Sequence, residues 1–459
     1  MKSSRYNIFV DLPKNGIRLA FNSRSLALVE FLLEDCALIE KILAEPNRAD
    51  GIDHKSRSIK RTLIEGGFLI DDLTDELNVL KAKNRTARFF GGHQTGLTIA
   101  PTLNCNFRCT YCYEQHKKGK MSLAAMKALL ESTEKATVKG NDLFVTWFGG
   151  EPLLALNEMA FLSKGFLGMA RRNSTKYSAY IVTNGYLLDR RTANKLKRWG
   201  VTGAQITIDG PSSVHDRRRP LASGTGTFEK ILENIKNSWD LLKIDVRINV
   251  DKDNIDTAFE VIETLEKEGL KNRVYPYLGC VYPYTDVCAD IQSHCFRKEE
   301  FSLLVARLKF ALLKRGFKTS TYPQLKGAYC TADSLNSQVI SPGGAIVKCW
   351  NHICDEGESV GHALSSRMTP REEANTCKWL AWDPFEKPDC RRCKILPICM
   401  GGCPYLAFKS GLKNRGYCID LKYNLKEILS LFYLQKKQAE EREIIRALAE
   451  RVEALKKNA

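Results

Sequence analysis

The sequence predicts an α/β protein, a partial (β/α)6 TIM-like barrel with a smaller unit at each end. Three observations predict it: six short apolar segments recur with helix-length gaps, most of the sixteen cysteines fall into regular arrays, and the N-terminal stretch carries its own hairpin signal. A length of 459 residues exceeds one ordinary domain. A hydrophobic content of 44% beside 27% charged residues is that of a folded chain and excludes a disordered or fibrous one.

In chain order, segments 6–10 and 17–21 flank Pro13-Lys14-Asn15-Gly16, whose Asn-Gly pair marks a hairpin. Apolar residues at three-and-four spacing predict helices over 26–33, 37–44 and 58–65; Gly66-Gly67 stops the last, and 68–70 reads as a short strand. Residues 1–90 thus look like a winged-helix module. The barrel follows over 91–315. Its strands are predicted at 97–105, 143–148, 178–183, 204–208, 245–250 and 273–278, with amphipathic segments such as MSLAAMKALLESTEKA between them. Parallel strands so connected place an active site at their C-terminal ends. The motifs obey this, since Phe148-Gly149-Gly150-Glu151-Pro152 ends the second strand, Thr183-Asn184-Gly185 the third and Thr207-Ile208-Asp209-Gly210-Pro211 the fourth. From Lys426 a long amphipathic helix closes the chain, with Ile445, Leu448, Val452 and Leu455 on one seam.

Cys105, Cys109 and Cys112 form C-x3-C-x2-C. Cys390, Cys393, Cys399 and Cys403 form C-x2-C-x5-C-x3-C; Cys330 and Cys349 precede them as C-x13-G-x4-C, and Cys418 follows. A structural zinc site needs four ligands, and the first array offers three cysteines with no histidine at ligand spacing; His116 reads as solvent-exposed. Three crowded thiolates suit a four-iron four-sulfur cluster with one iron left open. Gly149-Gly150 could present backbone groups and Glu151 could accept from an ammonium, although an ordinary strand-ending turn has the same composition. The triplet Arg217-Arg218-Arg219 reads equally as a solvated basic face, and Asp209 as a turn-former. Cys280, Cys288 and Cys295 read as buried free thiols walling the substrate entry.

C-x3-C-x2-C with Tyr111 before its last cysteine, followed by Gly-Gly-Glu-Pro, resembles the radical S-adenosylmethionine (SAM) enzymes. The stretch ITIDGPSSVHDRRRP and the seven downstream cysteines resemble the subgroup with a C-terminal SPASM domain, here 316–423, ahead of the final helix at 424–459. The resemblance spans about residues 95–420. It implies three 4Fe-4S clusters and SAM as cofactors. Cys105, Cys109 and Cys112 would hold the SAM-binding cluster. Cys330, Cys349 and Cys403 would hold one auxiliary cluster; Cys390, Cys393, Cys399 and Cys418 would hold the other. Tyr111, Gly149, Gly150, Glu151, Asn184, Thr207 and Arg219 would contact SAM. The first auxiliary set is one ligand short, completed either by Cys354 or another stray cysteine or by a substrate thiolate, and the open site is favoured.

Lys plus Arg (70) exceeds Asp plus Glu (53) by 17, a surplus that attracts polyanions. Among the enzymes it resembles, an N-terminal module of this kind binds the leader of a precursor peptide, and the surplus suits an acidic leader. Forging a crosslink in that peptide is the expected reaction, a thioether first. Cyclophane crosslinking, Cα epimerisation and sulfatase-type formylglycine formation are the alternatives, and an electron donor such as flavodoxin or ferredoxin is implied. The rival from another class is a zinc-stabilised nucleic-acid-binding protein, disfavoured by the cysteine pattern. With no apolar run of membrane-spanning length and no secretory h-region, a cytoplasmic protein without a membrane partner is expected.

Overall fold

The computed structural model describes the chain except residues 49–52, 91–93, 139, 320–321, 411–415 and 458–459; at 136, 410 and 441–457 it describes the backbone alone. Near the N-terminus, β1 (Asn7–Leu12), β2 (Ile17–Asn22) and β3 (Leu28–Leu32) form an antiparallel sheet in that order. The predicted turn closes through Gly16, whose left-handed φ of 67° admits glycine readily. Segment 26–33, expected as a helix, is instead strand β3, with Ile17 opposite Leu32 and Phe21 opposite Leu28. A short apolar run satisfies either period, and the open edge of β2 decides for the strand. Helices α1 (Cys36–Ala44) and α2 (His54–Glu65) follow as expected, and α3 (Glu76–Arg85), capped by Asp75, is additional. The strand expected at 68–70 shortens to Leu69–Ile70, paired with Lys2–Ser3.

Six parallel strands build the barrel: β4 (Gln94–Ile99), β5 (Asp142–Trp147), β6 (Tyr177–Thr183), β7 (Val201–Thr207), β8 (Lys243–Val250) and β9 (Val274–Cys280). Their buried apolar residues, including Trp147, Ile181, Ile206 and Ile248, join Phe166 and Leu196 of the outer helices in one core. The first strand stops at Ile99, so residues 100–105 are a loop and not the strand end the sequence suggested. Beyond β4 the sheet continues into β10 (Ser337–Ile340), parallel to it, then antiparallel β11 (Ala345–Val347) and β12 (Gly361–His362). The cysteine-rich region therefore grows out of the barrel sheet.

A last helix, α4 (Leu421–Lys457), begins before Lys426 and is interrupted by the non-helical backbone of Asn424. The side chains of Ile445, Leu448, Val452 and Leu455 lie outside the described residues. Among the described residues no helix is long and apolar enough to cross a membrane.

Candidate active site

The three-cysteine loop lies across the C-terminal ends of the barrel strands, held from two sides. On one side Arg108 and Thr110 donate their backbone N–H to the carbonyls of Pro220 and Arg218, and Ala222 donates to Asn106. Phe107 also bridges Leu221. Of this strut, Arg218 and Arg219 belong to the triplet seen in the sequence, whereas Leu221 and Ala222 carried no signal.

On the other side sits the Gly-Gly turn. Gly150 N–H donates to the Thr102 carbonyl at 3.3 Å and Glu151 N–H to the Asn104 carbonyl at 2.9 Å. A Cβ on Gly149 would lie 2.3 Å from the Thr102 oxygen, and one on Gly150 2.5 Å from the Asn104 oxygen. The glycines are required because the loop backbone packs directly on them. The carbonyls of Gly149 and Gly150 accept no hydrogen bond among the described residues. Glu151 is fully buried and already engaged: Oε1 accepts from Leu153 N–H (3.0 Å) and the Thr183 hydroxyl (2.8 Å), and Oε2 from Asn184 N–H (2.8 Å). Burial pushes its carboxyl up to about 7 against the pull of these donors.

Tyr111 donates to Asp209 Oδ2 at 2.5 Å and accepts from Arg219 Nη1 (2.7 Å) and Asn249 Nδ2 (3.1 Å), while the Arg218 guanidinium lies 4.9 Å over its ring. Arg218 also pairs with Asp251 at 2.9 Å. Hence Arg218 and Arg219 do not form a solvated basic face; only Arg217 of the triplet is exposed. Asp209, fully buried, ties this network together. Asn184 Nδ2 reaches Asn106 Oδ1 at 2.8 Å, and Thr207 is buried at the end of β7. His116 is half-buried rather than solvent-exposed. Of the three thiols from the end of β9 onward, only Cys288 is buried; Cys280 and Cys295 are partly exposed.

The thiols gather into three sets. Burial first, then Glu151, Cys109 and Cys112, push Cys105 up to about 12 against the Phe107 N–H that lowers it. Burial likewise takes Cys390 up to about 12, with Cys399, Cys418 and Cys393 as its next influences. Cys349 is raised by burial and then by Cys403 and Cys330. Tyr329 lies between the last two sets, its hydroxyl raised by burial and by Cys403, Cys330 and Cys399. Cys354 is set apart: after burial, its thiol is influenced by Gln115, Glu114 and Lys117 and by no other cysteine. Among the described residues no three His, Cys, Asp or Glu are drawn together tightly enough for a single metal ion.

The first thiol set fits an anionic cluster. Cys109 is raised by burial, and the largest opposing influence is Arg219, which is itself buried with an Nε that has no hydrogen-bond partner. An unpaired guanidinium N–H beside three desolvated thiols is stabilised when those thiols become thiolates.

A parallel, partly closed barrel with a three-thiol loop on its rim is the architecture of a barrel enzyme whose chemistry sits at the strand C-termini. More particularly, residues 99–265 match the Radical SAM superfamily; the chain carries a radical SAM domain and is an enzyme. It is 22% identical over 370 residues to the cysteine-type anaerobic sulfatase-maturating enzyme of Clostridium novyi, covering 72% of this chain and 95% of that one. With the Fe-coproporphyrin III synthase of Methanosarcina barkeri it shares 28% identity over 184 residues, 39% of this chain but only 42% of the relative. The fold is similar to that of native anSMEcpe with bound AdoMet, at a TM-score of 0.56, 18% identity and coverage of 75% and 99%. It is also similar to Streptococcus suis SuiB bound to precursor peptide SuiA, at 0.50, 14%, 89% and 96%.

Proposed function

We propose that this chain is a peptide maturase that cleaves SAM reductively at a cluster held by Cys105, Cys109 and Cys112, and installs a crosslink, a thioether first, in a ribosomally made precursor peptide. The observation that carries the reading is a cleft of about 640 Å³. Its one wall is the chain directly after Cys112, from Tyr113 to Lys117, and the other includes the chain directly after Cys349, from Trp350 to Glu356. A peptide residue lodged there stands between the residues that follow Cys112 and those that follow Cys349.

When bound, the cluster and SAM supply one-electron chemistry and a 5′-deoxyadenosyl radical able to take hydrogen from an unactivated C–H bond. The chain's task is to hold and aim. The carbonyls of Gly149 and Gly150 are the acceptors for the methionyl ammonium, with Glu151 fixing the turn. Tyr111 offers its ring edge to adenine, its hydroxyl being locked by Asp209, Arg219 and Asn249. Asn184, Thr207 and Arg219 border the remaining polar groups. Cys390, Cys393, Cys399 and Cys418 complete one auxiliary cluster. Cys330, Cys349 and Cys403 leave the other a ligand short, and the placement of Cys354 beside Glu114 and Lys117 speaks for a substrate thiolate there. The leader adds as a strand at the edge of β3, which pairs on one side only among the described residues. Flavodoxin or ferredoxin supplies electrons.

Oxidation of a single Cys or Ser is the second reading, favoured by the match to 95% of a cysteine-type sulfatase-maturating enzyme. Mass spectrometry of the short peptide encoded beside this enzyme, co-expressed with it, separates the readings. Loss of two hydrogens with two residues linked supports the crosslink, unchanged mass with deuterium uptake means epimerisation, and formylglycine means the second reading. An unmodified peptide defeats the proposal.

A further inference from the structure

The barrel sheet is apolar towards its helices and polar on its inner face. Along β8, Ile244, Val246 and Ile248 belong to the core shared with the outer helices, so the alternate residues Asp245, Arg247 and Asn249 face the lumen. Arg247 stands opposite Thr207 of β7 on one side and Tyr277 of β9 on the other, level with the strand ends that carry the site. Its Nε donates to Asn249 Oδ1 at 2.7 Å, and Asn249 Nδ2 donates to the Tyr111 hydroxyl at 3.1 Å. A Cβ on Gly279 would lie 2.3 Å from that Nε, so the guanidinium rests directly against the backbone of β9. It also reaches the Tyr277 hydroxyl, which itself donates to Gln205 Oε1 at 2.5 Å. The rest of its N–H fork has no acceptor among the described residues, and Arg247 is only partly buried.

This guanidinium has no counter-charge. The side chains that surround it are Tyr277, Tyr284, Tyr113 and Tyr111, which carry no charge at neutral pH. The neighbouring carboxylates are engaged elsewhere: Asp245 Oδ2 accepts from Tyr180 at 2.5 Å, Asp209 from Tyr111 and Arg218, and Asp251 from Arg218. Two of the four tyrosines, Tyr113 and Tyr284, also line the 640 Å³ cleft, their rings meeting edge to face at 5.7 Å. The cleft and the arginine therefore share a wall.

We infer that Arg247 anchors a carboxylate of the substrate peptide inside the barrel, an acidic side chain or the peptide's own C-terminus, and thereby sets the register of the peptide against the site. A half-buried guanidinium without an anion is a standing cost that an incoming carboxylate removes through two parallel charge-assisted hydrogen bonds; a carboxamide of the same shape brings neither the charge nor the second acceptor. The inference rests on the peptide reading above and adds a specificity determinant to it.

The test is equilibrium dialysis of the full-length, anaerobically reconstituted protein against radiolabelled peptides acetyl-Gly-Ala-X-Ala-Gly-amide at physiological salt, with and without SAM. With X as Glu, binding is expected to be about tenfold tighter than with Gln. The Gln peptide with a free C-terminal acid supplies the other kind of carboxylate, and the tighter of the two acids identifies the source. Arg247→Gln abolishes the gap while leaving the Gln amide peptide and SAM affinity unchanged. Arg217→Gln, the same loss of charge at an exposed position, leaves the gap intact, which separates a direct contact from the long-range field of a chain of net charge +17. Should Arg247→Gln fail to fold, Arg247→Lys, which keeps the charge without the fork, narrows the gap and keeps its sign. Equal binding of both acids and the Gln amide, a gap that survives Arg247→Gln, or one that falls as far in Arg217→Gln overturns the inference and leaves the peptide reading intact. Loss of SAM affinity in Arg247→Gln assigns the arginine to the carboxylate of SAM and overturns it as well. Failure of every peptide to bind removes both.

Discussion

Gly150 and Gly149 determine whether the cysteine loop can sit where it does. A methyl group on Gly150 collides with two carbonyls, those of Asn104 at 2.5 Å and Leu103 at 2.6 Å, so Gly150→Ala must push the loop that carries Cys105. Overpacking of this kind costs about 1–3 kcal/mol. Gly150→Ala is expected to lower the melting temperature and to lower iron per chain after reconstitution, since Cys105 moves away from its two partners. The motif was legible in the sequence, but not this reason for it: spacing shows that glycines follow the strand, whereas the contact is with a loop some 45 residues earlier, about what chain distance alone conceals. The same holds for His215. It is fully buried, accepts from the Asp209 N–H through Nδ1 (3.2 Å) and contacts Thr227 Oγ1 through Nε2 (3.1 Å), and Thr227 in turn donates to the Arg219 carbonyl. Burial, with Arg219 and Arg218 nearby, holds its pKa well below the ordinary value. The folded state therefore resists a proton that the unfolded chain accepts, so the stability His215 confers is complete above about pH 6.5 and is lost below it, by up to about 1.4 kcal/mol per pH unit. Urea unfolding of wild type and His215→Gln at pH 5.5 and 7.5 checks this, the variant showing the smaller acid loss.

At the scale of elements, the barrel was readable because each strand is an apolar run bounded by turn residues and each helix a longer amphipathic one. All six predicted barrel strands overlap observed ones. Segment 26–33 failed because LALVEFLL is too short to fix its period, and β10, β11 and β12 went unread because strands of two to four residues carry no periodicity. The cysteine sets were legible for a different reason. Cysteine spacing survives in sequence even where the elements holding it do not, as with Cys330 and Cys403, which come from a bend and a helix start more than seventy positions apart. Replacing Cys105, Cys109 and Cys112 with Ala is expected to abolish 5′-deoxyadenosine formation from SAM, measured by liquid chromatography of single-turnover mixtures. Cys403→Ala is expected to spare part of that cleavage and to remove crosslinked product, because in the proposed function its set holds the substrate thiolate and not SAM. Crosslinked product at the wild-type level in Cys403→Ala would falsify a role for the second set in bond formation.

For the whole molecule, the N-terminal module is a structural part of the cysteine-rich region. Its sheet buries one face under α1 and α2 through Ala20, Phe31, Ile39 and Leu63. The opposite face, through Val10, Ile17, Leu19 and Phe21, packs on Ile395, Ile398 and Cys399 and on Leu425 and Leu429 of the last helix. Removing residues 1–90 therefore strips the apolar cover from the segment that carries Cys393 and Cys399, and a loss of leader binding in such a truncation would not distinguish docking from collapse. Leu19→Ala makes the distinction. Leu19 is fully buried at that junction, and its truncation is expected to cost about 2–5 kcal/mol. If the cluster proposed at Cys390, Cys393, Cys399 and Cys418 depends on this packing, reconstituted Leu19→Ala holds about four irons fewer than wild type, while SAM cleavage at the barrel persists. Iron assay paired with 5′-deoxyadenosine yield measures both. Full iron content with unchanged thermal stability would show that the module rests on the cysteine-rich region without supporting it, and the leader could then be sought on the truncated chain directly.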